Sequence, residues 1–118
     1  MQSDIGRFLE SHRLEMQQLI RVVYDACCGQ AKNVAVKLQG KELAFSTDED
    51  GDDFGFVRLM PLATSAILSF PRGHEIHDPQ NRAKGAVNSR TSMTLYYASD
   101  VDVYVRRMIG IAYTLEQD

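Results

Sequence analysis

The chain has only two cysteines, Cys27 and Cys28, and they are neighbours. Adjacent residues of a helix point in different directions, so the pair is no disulfide framework, and it lacks metal-site spacing. No apolar run approaches the roughly 20 residues that span a bilayer, and the opening MQSDIGRF has no signal-peptide core. Charge is nearly balanced: 13 Lys+Arg against 16 Asp+Glu leave a net −3. Overall charge therefore offers no drive toward nucleic acid, and that partner is not expected. Also missing are a Gly-x-Ser-x-Gly elbow, a phosphate-cradling glycine loop and a dinucleotide fingerprint. The absences predict a reduced, cytoplasmic protein without cofactor or membrane partner.

What is present is ordinary for one folded domain. At 118 residues, 44% hydrophobic and 25% charged, the chain reads as a single unit over 1–118. Its centre is FGFVRLMPLATSAILSF, Phe54 to Phe70. It predicts two strands joined at Met60-Pro61-Leu62-Ala63. In the second, Ala66, Leu68 and Phe70 alternate with Ser65, Ile67 and Ser69, the pattern of a strand with one buried face.

Before that centre, Ser3 to Cys28 places Ile5, Phe8, Leu9, His12, Met16, Leu19, Ile20, Val23 and Cys27 on one helical stripe. Ser3 or Asp4 would cap it, Gly29 would end it, and Ser11 would cap a second segment at a break. A hairpin follows, with Val34, Val36 and Leu38 before Gln39-Gly40 and Leu43 and Phe45 after. Asp48 to Asp53 reads as a turn. It is no calcium loop: with Gly51 at the sixth position, the first and twelfth fall on Ser46 and Val57. Pro71 to Arg90 reads as irregular, Ser92 to Tyr97 as a fifth strand, and a helix opens at Ser99-Asp100-Val101-Asp102, with Ser99 as its cap. The expected architecture is α+β: a two-layer sandwich in which N-terminal and C-terminal helices cover one face of a five-stranded antiparallel sheet.

The order of elements, the run FGFVRLMPLATSAILSFPRG, His77-Asp78-Pro79, and SRTSMTLYY ahead of SDVDVYVRRMIGIAY resemble the small bacterial proteins grouped with YdhG and YjbR, in a superfamily with frataxin-like proteins. The resemblance implies the same two-layer sandwich. Frataxin-like proteins handle iron through an acidic ridge on the first helix. Here Asp4, Glu10, Glu15 and Asp25 interleave with Arg7, Arg13 and Arg21, so the ridge is absent.

Candidate sites gather in the long loop. Pro71 to Arg90 carries Arg72, His74, His77, Arg82, Lys84 and Arg90 against Glu75 and Asp78. Folded across the polar sheet face, it would enclose a small anionic ligand, since guanidinium groups hold carboxylate and phosphate with paired hydrogen bonds. Arg58, Arg72, Arg82, Arg90, Thr94 and Tyr96 are the expected ligand-binding residues of a non-enzymatic binding module. The alternative is a metal carrier or metal-dependent hydrolase using His74, His77 and Asp78. Pairing of two copies through the polar face or the strand near Asn33 would make a homodimer. Cys27 and His12 read as packed residues.

Overall fold

The stripe between Ile5 and Cys27 folds as two helices. In the computed structural model, which describes residues 3–47, 55–87 and 90–116, α1 spans Ser3–Glu10 and α2 spans Leu14–Cys28. Ser11 does not cap α2. Its hydroxyl donates to the Phe8 carbonyl at 2.6 Å and so closes α1. Arg13, in an extended conformation, precedes α2 without a side-chain cap. At the amino end, Asp4 Oδ1 accepts from the Ile5 amide at 2.9 Å, while the Ser3 side chain lies outside the described residues. Ile5, Leu9, Met16, Leu19, Ile20, Val23 and Cys27 are all buried. Gly29 ends α2 at φ −71. A Cβ there would sit 2.9 Å from the Asp25 carbonyl oxygen, so this glycine serves close approach and not left-handed geometry.

Strands β1 (Ala35–Gln39) and β2 (Glu42–Ser46) form the expected hairpin. Gly40, at φ 66, is the sole positive φ of its two-residue turn. Glycine at that first position is the type II′ arrangement, whose twist suits the strands it joins. The expected turn at Asp48–Asp53 and Phe54 lie outside the described residues. The central pair is β3 (Val57–Pro61) with β4 (Ala66–Phe70). Pro61 stays in the strand opposite Ala66, and the turn falls two residues later than expected, closed by the Leu62 amide on the Ser65 carbonyl at 2.7 Å. At a strand end the missing N–H of proline costs no ladder bond.

Strand β6 (Arg90–Leu95) pairs with β4, and β5 (Lys84–Val87) pairs with β6. Among the described residues the sheet is antiparallel and ordered β1-β2-β3-β4-β6-β5. The five expected strands are present, and β5 adds a short sixth at one edge. Its four residues, Lys-Gly-Ala-Val, are too few to show alternation. Helix α3 spans Val103–Glu116. Asp102, not Ser99, is its cap, because Asp102 Oδ1 accepts the Val105 amide at 3.0 Å while Ser99 lies in the preceding 3-10 turn.

The registers put Val36, Phe45, Val57, Leu59, Leu68, Phe70, Thr91, Met93 and Leu95 on one face. The helices cover it. Tyr24 of α2 meets Phe45 edge-on at 6.0 Å, and Val105, Met108, Ile109 and Ala112 of α3 complete the same core. The two-layer α+β sandwich stands. No described helix is long and apolar enough to cross a membrane.

The segment after Phe70 does not cross the polar face. Gly73 is buried, and a Cβ on it would strike Thr91, on the helical face. Ile76 joins the core. The Asp78 carboxylate accepts from the hydroxyl of Tyr104, on α3. Ile76 is buried in the core and Asp78 finds a hydroxyl donor on α3, and this decides the direction.

Candidate functional site

Arg58 projects from the middle of the polar face, opposite Ala44 on β2 and Ser69 on β4. Its Nε pairs with Glu42 and its Nη2 donates to Gln39 Oε1 at 2.7 Å. Only 6% of the residue is exposed. A buried guanidinium already neutralised by a carboxylate holds the sheet together and has little left for a ligand. Arg72 is engaged elsewhere. Nε and Nη2 reach Glu75 at 2.5 and 2.8 Å, and Nη1 donates to the Leu115 carbonyl at 2.7 Å, near the end of α3. The hydrogen bond from Arg72 holds the Glu75 carboxyl below its ordinary pKa. Arg90 opens β6, and its side chain falls outside the described residues.

The remaining three expected residues do meet. Arg82, Thr94 and Tyr96 line one cleft of about 370 Å³ with Asn81, Lys84 and Asp100. The loop side of it is set by Asp78. Its carboxylate accepts the Arg82 amide at 3.1 Å, the Ala83 amide at 2.9 Å and the Tyr104 hydroxyl. Desolvation pushes the Asp78 pKa up. The hydrogen bonds from Tyr104, Ala83 and Arg82, with the Arg82 charge, outweigh that and leave it lowered. Asn81 turns the chain at φ 52. The Arg82 guanidinium lies 4.9 Å from the Tyr104 ring centroid and 3.0 Å from Asp102 Oδ2. The Asp102 carboxyl is likewise lowered, first by the Val105 amide and then by Arg82.

The sheet side of the cleft comes from β6. Lys84 of β5 pairs opposite Ser92, and Thr94, two residues on, shares that face. Tyr96 is 55% exposed. Asp100 is turned inward, accepting the Tyr96 and Tyr97 amides on Oδ2 at 2.8 and 2.9 Å. With Arg82 matched to Asp102 and the Asp100 carboxylate held in place by two amides, Lys84 is the cation left to meet a ligand. It has no ion-pair partner among the described residues. A cation without a partner, a hydroxyl and an exposed aromatic wall suit a small anion. Lys84 was visible only as one cation among several in the loop. Its importance comes from β5, which the sequence does not announce.

The His74, His77 and Asp78 set does not assemble. The His74 side chain is half-exposed, 4.0 Å from Glu75. His77 is exposed and meets Arg107 through its backbone carbonyl at 3.2 Å. The Asp78 oxygens are taken. Among the described residues no group of three or more His, Cys, Asp or Glu could hold a metal. Cys27 is fully buried, and desolvation, with Cys28 beside it, raises its thiol pKa well above the ordinary value, which suits a packed thiol and not a nucleophile. His12 packs edge-on to Phe8 at 4.8 Å, its Nδ1 2.8 Å from the Phe8 carbonyl. Compared with known protein families, curated proteins and solved structures, the chain matches none.

Proposed function

We propose that this domain is a non-enzymatic binding module that holds a small anionic ligand, a carboxylate or phosphate, in the cleft between residues 81–84 and the end of β6. The observation that carries the reading is the ammonium of Lys84, unpaired among the described residues, beside Thr94 and Tyr96. Lys84 supplies charge, Thr94 a hydroxyl donor, Tyr96 a wall, and Arg82 a guanidinium steadied by Asp102 and Tyr104. The Asp78 bonds keep the loop in place before a ligand arrives, which reduces the ordering cost of binding. The reading takes the chain as a cytoplasmic member of the YdhG and YjbR group. The element order supports that assignment.

Thermal unfolding tests it, with inorganic phosphate, citrate and acetate as probes against chloride at equal ionic strength. A ligand at ten times its Kd adds about 1.4 kcal/mol. For 118 residues that raises Tm by about 6 °C. Lys84→Ala removes the shift, Thr94→Val reduces it, and Arg72→Ala, away from the cleft, leaves it whole. The reading fails if no probe anion raises Tm beyond chloride, or if Lys84→Ala keeps the full shift.

A further inference from the structure

The sheet ends on two unlike edges. β5 is four residues long and its pairing slips register between Lys84 and Val87, an irregularity that blunts an edge. β1 has no such slip and carries a single lysine, Lys37, as edge protection. It runs in unbroken register from Ala35↔Ser46 to Gln39↔Glu42 and contains no proline. The two-residue turn makes Gln39 and Glu42 a hydrogen-bonded pair, so Ala35, Lys37 and Gln39 spend their backbone groups on β2. The N–H and C=O groups of Val36 and Leu38, and of Val34 just before the strand, face outward. Among the described residues they have no partner. An open groove of about 650 Å³ runs along this edge, lined by every residue from Val34 to Gln39 and, from the helical layer, by Tyr24 and Asp4.

We propose that β1 pairs antiparallel with β1 of a second copy of this chain, closing a two-fold dimer around one continuous sheet. The bulged β5 edge offers no regular ladder to β1, so the edge meets itself and the assembly closes at two copies without growing into a fibre. The register follows from faces and charge. Centred on Val36, the pairing uses all three outward-facing residues of each copy, with Val34 opposite Leu38 of the partner subunit. It also sets Lys37 opposite Ala35 of the partner subunit, on the polar face. Centred one residue later, the two Lys37 ammonium groups would stand face to face, which disfavours that register. Val34 and Leu38 are only partly buried in a single copy, and on the core side this register covers both.

Sedimentation velocity of the whole chain from micromolar to millimolar concentration is the test, with a dimer expected at twice 13.3 kDa. Ala35→Lys brings two like-charged pairs into the interface and weakens association about tenfold. Ala35→Glu tightens it by a similar factor, and adding Lys37→Glu to Ala35→Lys restores it. Far-UV circular dichroism checks that each variant is folded. If Ala35→Lys fails to fold, the gain from Ala35→Glu decides. A chain that stays monomeric throughout overturns the proposal, and so does a dimer whose affinity ignores both charge changes at position 35.

Discussion

Replacing Gly73 by alanine tests where the segment after Phe70 lies. Gly73 does not occupy a positive φ, so alanine meets no backbone strain there. In a free loop the substitution would stabilise the fold by about 0.4–1 kcal/mol, by restricting the unfolded chain. Docked as described, the new Cβ would lie 1.8 Å from Thr91 Oγ1, 2.8 Å from its Cβ and 3.0 Å from its Cγ2, and Thr91 is itself buried. Overpacking a core by a methyl costs about 1–3 kcal/mol. Taking the middle of each range, the clash wins by about 1.3 kcal/mol. For 118 residues that lowers Tm by about 5 °C. Thr91→Ala removes Oγ1 and Cγ2 and leaves the contact with Cβ. The Thr91 hydroxyl has no hydrogen-bond partner among the described residues, so its removal breaks no bond. In that background Gly73→Ala should cost less than half as much, a coupling of about 1 kcal/mol measured by calorimetry or urea denaturation. A rise in Tm for Gly73→Ala alone, or an equal loss in both backgrounds, refutes the docking.

Two glycines at positive φ make a matched comparison. Gly40→Ala, with φ 66 and nothing within 4 Å of the new Cβ, meets only positive-φ backbone strain of about 1–3 kcal/mol. Gly55→Ala, with φ 81 and a Cβ 2.4 Å from the Phe45 carbonyl oxygen, loses more in urea denaturation, and equal losses contradict the packing. Asp78 and Asp102 both have lowered pKa values in the fold. Their stabilisation is therefore complete above the unfolded carboxyl value of about 3.9 and disappears as pH falls through the still lower folded values. Asp78→Asn should then be less stable than the parent at neutral pH, with the difference shrinking in acid. A pH-independent difference counts against the Asp78 contacts.

Much of the site was unreadable for a definite reason. Arg58, Arg72 and Arg82 look alike in the sequence as cations near a polar face. Which of them is spent depends on Glu42, Glu75 and Asp102, and two of these pairings join residues 16 and 20 positions apart. Lys84 shows the converse. Four residues with a glycine among them carry no period, so β5 emerges only where β6 offers a ladder. Thr94 was legible because strand alternation alone sets its exposure, whereas Tyr96 is exposed just past the end of β6.

By itself, the sequence determined the layers: helical stripes of period near 3.6 and strands of period two must bury their apolar sides against each other, and Gly40 alone suits its turn. Only the tertiary structure decided that residues 71–83 lie along α3, that Arg58 is neutralised by Glu42, and that β1 is left an open edge beside a groove. Those outcomes depend on partners distant in the chain. Local periodicity carries no information about which distant acceptor or cavity a side chain will meet.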